Sequence, residues 1–413
     1  MRLILSVLVF FSMSLNLLAQ SDTTTKQLQD VVIYANKFPT LSKNIVQRVV
    51  SLTDKVLIQQ QANTADILTA SGQVFVQKSQ AGGGSPVVRG FEASRVLLMV
   101  DGIRMNSAIF RAGHLQNIIT VDNMILDRVE ILYGPSSTMY GSDALGGVVN
   151  LYTKQPKLFI SNVASKKAPW SVNGNLMYRY GNGQNENRQH IDVNIANNKW
   201  AYLTSFTYSS FGDLRQGNQR SAAYPDFGKR LFYVARENNT DVVKDNSASV
   251  NIQKFSGYNQ TDLLQKVLFK PNENTTHLLN VQFSNSSDIN RYDRLTETSK
   301  GLPVFAEWYY GPQVRNMVGY KLTKSNLNGY FQKMTANLNY QYLEESRITR
   351  RFKSNNKDYR FEEVDLFGLN VDLLRQGKSS ELHVGVESYY NNVGSTAYRN
   401  NIASNVRSAI TTR

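Results

Sequence analysis

The chain contains no cysteine. That absence excludes a disulfide framework, a thiolate metal site and a cysteine nucleophile. Histidine is scarce, at four residues, and tryptophan scarcer, at three. Beyond the first nineteen residues there is no apolar run of the roughly twenty residues that a membrane-spanning helix needs, so a polytopic helical membrane protein is excluded. Acidic residues, 32, are outnumbered by 46 basic ones, a formal charge of +14 over 413 residues. Such a balance suits nucleic acid, acidic lipid or anionic ligands, and charge alone does not choose among them. What is plentiful is tyrosine, 22, and phenylalanine, 19, with 41% hydrophobic residues overall, enough for a packed core.

The N-terminus reads as a secretory signal over 1–19. Arg2 is followed by the apolar stretch Leu3 to Phe11, and Leu17-Leu18-Ala19 precedes Gln20 at a plausible cleavage site. Leu17 is not ideal there, and a buried N-terminal helix or a membrane anchor is the alternative. Polar Ser21 to Lys26 follow at once. The mature protein is therefore expected beyond the inner membrane.

Three stretches follow. Residues 20–45 form a polar tail broken by one β-rich patch, Val31-Val32-Ile33-Tyr34. Residues 46–155 carry a compact α+β pattern. There Thr64 to Leu68 is expected to be a short helix capped by Thr64. The apolar run Val96 to Val100 ends at Asp101-Gly102, a tight-turn dipeptide. Residues 125–131 read as a helix end passing into a strand.

The third stretch is 156–413, and from about 168 its pattern becomes period two. Trp170, Val172, Leu176, Tyr178 and Tyr180 share one parity, against Ser171, Asn173, Asn175 and Arg179. Ile191, Val193 and Ile195 alternate with Asp192 and Asn194, and Met334, Ala336, Leu338, Tyr340 and Tyr342 alternate with Thr335, Asn337, Asn339 and Gln341. One apolar face per strand fits a soluble sandwich, in which that face meets a second sheet, or a transmembrane barrel, in which it meets lipid. Two details favour the barrel: the second parity is strongly polar, and connections alternate in length. Asn197-Asn198, Pro271 to Asn274 and Gln376 to Lys378 read as short turns, while 212–258 and 288–314 read as long loops. Trp170 and Trp200 would open strands that run the same way, placing both indoles at one interface. The count is roughly nine strands, and no apolar alternating strand closes the sheet. Because an open edge in lipid leaves backbone groups unpaired, the chain is expected to be part of a longer protein.

Ordered words in the second stretch carry a family likeness. They are Asp30-Val31-Val32-Ile33-Tyr34-Ala35, Val88-Arg89-Gly90-Phe91, Arg95 to Asn106, Arg128-Val129-Glu130-Ile131 and Gly134 to Asn150. From about 30 to 153 the chain resembles the plug of TonB-dependent outer-membrane receptors. Tyr133 departs from the family's usual Arg before Gly-Pro. The resemblance implies an α+β plug domain followed by antiparallel transmembrane β-barrel strands, here an incomplete barrel, in the outer membrane of a Gram-negative bacterium. It identifies Asp30, Val31, Val32, Ile33 and Tyr34 as the TonB box, an extended segment suited to adding a strand to the partner TonB; a mere edge strand is the alternative. Arg89, Arg104, Arg128 and Glu130 suit plug–barrel contacts, or else are ordinary solvated charges.

The resemblance also places Lys78 to Pro86 and Asn106 to Asn117 as apical plug loops, with Ser79, Gln80, Phe110, Arg111, His114 and Gln116 as ligand-binding residues. Phe110 to Asn117 resembles the loop of haem and haemoglobin receptors. His114 would be a haem-iron ligand and Arg111 a propionate partner; equally, His114 fits an ordinary polar loop residue. The expected activity is energy-coupled import of an iron-bearing ligand, haem or haemoglobin-derived first. A ferric siderophore or cobalamin is the alternative, and a passive porin or adhesin the reading from another class. No intrinsic cofactor is expected. Partners would be TonB, outer-membrane lipid and a small-molecule iron ligand or haem carrier protein. Nucleic acid is not expected, nor is enzymatic activity: no nucleophile–base constellation is present, and Gly82 to Gly84 lacks the Lys-Ser/Thr of a phosphate loop.

Overall fold

A computed structural model describes residues 32–33, 37–41, 45, 47–53, 62–109, 117–160 and 169–412. The expected signal segment 1–19 lies outside them, as do Asp30, Val31, Tyr34, Phe110, Arg111, His114 and Gln116.

The first part runs β1 (Val32–Ile33), β2 (Thr40–Leu41), β3 (Val49–Leu52), α1 (Thr64–Ala70), β4 (Phe75–Gln77), β5 (Ser85–Val87), β6 (Val96–Val100), β7 (Ile103–Arg104), β8 (Leu126–Tyr133), α2 (Ser137–Tyr140) and β9 (Gly147–Thr153). A five-stranded sheet of order β3-β8-β9-β6-β7 organises it, with β6 and β9 parallel and the other pairs antiparallel. Every residue of β6 is buried, which is why that strand is a continuous apolar run rather than an alternating one. Val96, Leu98 and Val100 pack with Val129, Ile131, Val149 and Leu151. Leu97 and Met99 point the other way, to Leu132, Tyr140, Ala144 and Val148. Asp101 and Gly102, at φ 51° and 84°, make the tight turn expected between β6 and β7.

The cap of α1 differs from expectation. Asn63 is the N-cap; its side chain accepts from the Asp66 amide at 3.1 Å. Thr64 is the first helical residue, fully buried, and its hydroxyl donates to the Val121 carbonyl at 2.6 Å. Both residue types cap helices, and a tertiary acceptor claimed the threonine.

The second part is one antiparallel sheet. Its strands are β10 (Ser171–Gly181), β11 (Glu186–Ala196), β12 (Trp200–Phe211), β17 (Tyr258–Asn272), β18 (Thr275–Ser286), β23 (Val314–Lys324), β24 (Lys333–Arg351), β25 (Asn356–Gln376), β26 (Glu381–Asn401) and β27 (Val406–Ala409), paired in that order. Nine are long, and β27 is a four-residue tenth. The loop after β12 holds β13 (Leu214–Arg215), β14 (Phe232–Glu237), β15 (Thr240–Asp245) and β16 (Ile252–Gln253). The loop after β18 holds β19 (Ile289–Asn290), α3 (Tyr292–Leu295), β20 (Thr298–Ser299), β21 (Leu302–Pro303) and β22 (Phe305–Tyr310).

Burial is inverted relative to a soluble sheet, and this decides between sandwich and barrel. On β11 the polar Arg188, His190 and Asp192 are buried while Ile191 and Ile195 are exposed. Elsewhere Lys266, Asn280, Gln282, Arg315, Asn337 and Asn339 are buried, and Phe206, Leu263, Val318, Leu338 and Leu369 are exposed. Greasy side chains outside and polar ones against a folded interior is the arrangement of a plugged barrel wall in lipid. Outward aromatics also line one rim. Trp170 stacks on Tyr202, Tyr202 on Trp200, Trp200 on Phe269 at 4.1 Å, and Phe269 on His277. The two indoles therefore share one interface.

Two turn expectations are corrected. Pro271 belongs to β17, which shifts register between Phe269 and Asn272, leaving Glu273-Asn274 as the turn. A prolyl residue has no N–H to give the ladder and is tolerated at such an irregularity. Connections at the rim opposite the indoles are not all long: 182–185, 352–355 and 402–405 are short. There β24, β25 and β26, at 19, 21 and 21 residues, exceed the 9–11 or so that cross a bilayer, and the strands themselves supply the height that a loop would otherwise supply.

Candidate functional site

The first part of the chain sits against the polar face of the sheet, and the contacts between them form the site. At its centre is Asp101, at the tip of the β6–β7 turn. Its carboxylate lies 3.0 Å from Lys266 Nζ on β17 and accepts from Asn280 Nδ2 on β18 at 2.9 Å. From its own domain it accepts the Thr153 amide at 2.9 Å and hydroxyl at 2.6 Å. Burial pushes the Asp101 carboxyl up; the Lys266 ammonium and the Thr153 donors outweigh it and hold it below the ordinary carboxylate value. Beside this node Arg315 on β23, almost fully buried, donates to Gln282 at 2.9 Å. Gly319 on the same strand lets Ile103 in: a Cβ there would stand 2.8 Å from Ile103 Cδ1. Met317 from the sheet completes the plug's own core.

A second seam runs along β11 and β17. Arg188 donates to Asn123 Oδ1 at 2.6 Å and to the Ala62 carbonyl. Gln260 donates to the Ile119 carbonyl at 2.9 Å. Lys154, just past β9, pairs with Asp192 at 2.6 Å. A third lies on β24 to β26. Gln341 donates to the Arg104 carbonyl at 2.9 Å. The Arg104 guanidinium pairs with Asp143 at 2.7 Å and stands 3.7 Å from Glu387.

The expected contact residues separate on these grounds. Arg104 reaches the sheet. Arg89, at φ 51°, lies with its guanidinium 5.2 Å from the Tyr133 ring, which carries Arg48 at 5.3 Å as well. Tyr133 thus holds two guanidinium groups by its ring, and its hydroxyl donates to the Gln73 carbonyl at 2.7 Å. Arg128 pairs with Glu130 at 2.9 Å within the plug and lies over Tyr152 at 4.0 Å. Asp101, Lys266 and Arg188 were missed by the sequence reading. The only trace of Asp101 in the sequence is a turn dipeptide, which carries no sign of a distant lysine.

Of the apical residues, Ser79 and Gln80 are described. Gln80 is 3% exposed and accepts from the Ser79 hydroxyl at 2.7 Å. The residues that follow are packed against the sheet and its loops. Ala81 packs with Ile119, Phe211, Tyr258 and Ile289, and a Cβ on Gly82 would stand 2.6 Å from Ile119 and 3.0 Å from Tyr258. Phe110, Arg111, His114 and Gln116 lie outside the described residues. In the long loop after β18, Tyr310 is buried with Trp308 and Leu295.

Above the sheet, Asp241 of β15 binds Arg350 of β24 at 2.8 Å, and Arg350 reaches Glu307 of β22 at 2.6 Å. The Lys353 amide also donates to Asp241 at 2.8 Å. Burial pushes the Asp241 carboxyl up, and Arg350 with the Lys353 amide holds it below its usual value. This network pins one long loop to another.

Comparison with known proteins agrees with this anatomy. Residues 42–148 match the family described as TonB-dependent Receptor Plug Domain. The "Vitamin B12 transporter BtuB" of Vibrio vulnificus (strain CMCP6) is 34% identical over 139 residues, 33% of this chain and 22% of that protein. Its namesake from Vibrio cholerae serotype O1 (strain ATCC 39541 / Classical Ogawa 395 / O395) is 35% identical over 130 residues, 30% of this chain and 21% of that protein. The chain therefore spans less than a quarter of the length of these curated relatives. Among solved structures, the "Copper transporter OprC" aligns with a TM-score of 0.66 at 13% identity, over 87% of this chain and 48% of that one. The ferripyoverdine receptor of the outer membrane of Pseudomonas aeruginosa aligns at 0.58 and 14%, over 89% and 45%. The fold is that of a plug with the barrel strands around it, and none of these proteins is an enzyme by name.

Proposed function

We propose that this chain is the plug and N-terminal barrel part of a TonB-dependent outer-membrane receptor, and that the whole protein imports a metal-bearing ligand across that membrane, driven by TonB. One observation carries the reading: a folded domain is bound to a polar barrel wall by charged side chains from both partners, with Asp101 on Lys266 at its centre. A passive pore needs no such cork. A cork held by polar bonds rather than by a continuous apolar seam is one that a mechanical pull is able to shift, because each bond released is replaced by one to water.

The coupling element is Asp30 to Tyr34. It is an extended segment able to add to a partner's sheet edge, where backbone bonds supply the affinity. For the ligand, the reading is haem or a haem-derived chelate, with His114 as axial ligand and Arg111 on a propionate. Its support is the wording of Phe110 to Asn117 together with the basic composition. Cobalamin is the second reading, favoured by the curated relatives that match the plug.

Titration of the complete receptor with haemin and with cyanocobalamin tests both. A Soret shift on haemin addition, lost in His114→Ala, is the expected result. No shift with haemin and saturable retention of cyanocobalamin would replace haem with cobalamin. Binding of neither removes both substrate readings.

A further inference from the structure

Four connections meet at the rim that carries the stacked indoles: 197–200, 270–275, 324–333 and 375–381. They hold six basic residues, Lys199, Lys270, Lys324, Lys333, Arg375 and Lys378, against two acidic ones, Glu273 and Glu381. Glu381 stands 3.4 Å from His383. Among the described residues none of the six cations has a carboxylate in salt-bridge range. The opposite rim differs, for Arg350, Lys357 and Arg399 each hold a carboxylate there. Cations without a counter-ion are thus gathered at one end of the wall.

Two of the six are on the outward parity. Lys324 ends β23 on the parity of exposed Val318 and Tyr320, and Arg375 stands on β25 on that of exposed Phe367 and Leu369. Lys324 is opposite Met334 of β24, and Met334 is opposite Leu373, two residues before Arg375. At about 4.8 Å per strand and 3.3 Å per residue, the two positions are about 12 Å apart along the wall, a gap that two long basic side chains can close from either side. The Arg375 guanidinium lies 3.8 Å from the centre of the exposed Tyr330 ring. Gln332 holds that connection in place: its Oε1 accepts from the Gln376 amide at 2.9 Å, and its backbone amide donates to the Leu374 carbonyl at 2.9 Å. On the other side the Tyr320 hydroxyl lies 2.7 Å from His277 Nδ1, which carries the aromatic stack from Trp170 on to β23.

An aromatic belt marks the level of the lipid headgroups. Lys324 and Arg375 therefore stand at the height of lipid phosphates, with exposed Val318, Leu338 and Leu369 beside them on the hydrocarbon side. Short turns mark the periplasmic side, so the leaflet concerned is the inner one. A basic head beside hydrocarbon keeps its charge only in water or on an anion. An outward-facing head at this level borders lipid, and a lipid phosphate is the anion that reaches it.

We propose that the inner-leaflet rim of β23 to β25 is a binding surface for acidic phospholipid, whose phosphate is held between Lys324 and Arg375. Lys199, Lys270, Lys333 and Lys378 extend the positive field along the same rim. The inference rests on the barrel lying in a membrane and depends neither on TonB nor on the imported ligand.

The test uses the complete receptor in phosphatidylcholine vesicles, with a single thiol, Leu338→Cys, carrying a bimane fluorophore. Leu338 lies on β24 between Tyr320 of β23 and Leu369 of β25. These 413 residues contain no other cysteine, and any elsewhere in the protein is changed to serine. Phosphatidylglycerol and phosphatidylcholine, each with a nitroxide on the acyl chain, are added as quenchers. Phosphatidylglycerol is expected to quench at a roughly fivefold lower mole fraction, the factor that ~1 kcal/mol represents, and high salt should narrow the gap. The double variant Lys324→Gln with Arg375→Gln should lose the preference. Lys357→Gln, at the opposite rim, should keep it. Equal quenching by the two lipids in the parent overturns the proposal. A preference that survives the double variant overturns its assignment to these residues, and one lost equally in Lys357→Gln reduces it to net charge and overturns it too. Inorganic phosphate in the buffer should leave the preference unchanged; displacement of the lipid by it would make this a site for a soluble anion and overturn the lipid reading.

Discussion

Lys266 and Asp101 meet at 3.0 Å between two parts of the chain 165 positions apart in numbering, with the lysine side chain fully enclosed. A buried ammonium is costly unless it is paired. Here one acid at the tip of a turn satisfies it, and Asn280 and Gln282 share that acid's remaining lone pairs. The pair is the clearest single tie between plug and wall.

Asp101→Asn should therefore weaken the docking of the plug more than the loss of one hydrogen bond would. Removing one partner of a buried pair costs about 3–5 kcal/mol, because the other charge is stranded. Protease sensitivity of the plug in the complete receptor should rise, and the double variant Asp101→Asn with Lys266→Met should recover much of the loss. Equal sensitivity in parent and Asp101→Asn would deny the pair its anchoring role.

Gly147 opens β9 at φ 158°, and a Cβ there would stand 2.4 Å from the Leu132 carbonyl oxygen. A backbone atom cannot turn aside as a side chain does. Gly147→Ala should destabilise the plug by about 1–3 kcal/mol, as overpacking generally does. Denaturant unfolding followed by a probe within the plug would show a lowered midpoint with the barrel transition unmoved.

Val32→Pro should leave ligand binding intact and abolish energised uptake. Proline removes a backbone donor from the segment that is to join a partner's sheet. Binding and transport are measured separately on whole cells carrying the complete receptor. Uptake at the parental rate would refute coupling through this segment.

The loop network gives a pH prediction with a definite sign. Asp241 has its folded pKa below the unfolded value of about 3.9, chiefly through Arg350 acting against burial. Its contribution is then fully present above the unfolded value and is lost as pH falls through the folded one. Hydrogen exchange in 240–245 should be slow at neutral pH and should quicken only under strongly acid conditions. Arg350→Met removes the cause of the depression, so the opening should move to higher pH. Exchange independent of pH across that range would show that the carboxylate does not pin the loop.

Much of this architecture is legible in the residues one strand at a time. Alternation in 171–211 and 333–342 places the strands, because a side chain's face repeats every two residues whatever surrounds it. The run Val96 to Val100 and the Asp101-Gly102 turn are equally local, and so are the words by which 30–153 resembles the plug family. Which solvent the apolar parity meets is not local: burial of Arg188, His190 and Asp192 beside exposed Ile191 and Ile195 answered that, since only the folded interior tells which face is covered. Capping of α1 by Asn63 rather than Thr64 turned on an acceptor 57 positions away.

The same division holds for the site. By itself the sequence determined that the chain alternates greasy and polar faces, carries a short apolar segment in a polar stretch near its N-terminus and has no thiol chemistry, because these depend on residue type and spacing alone. Only the tertiary structure decided that Asp101 answers Lys266, that Ala81 packs with Phe211 and Tyr258, and that Arg104 stands beside Glu387. Those relations are distances between residues far apart in the chain, and a charge in a sequence carries no record of which opposite charge the fold will bring beside it.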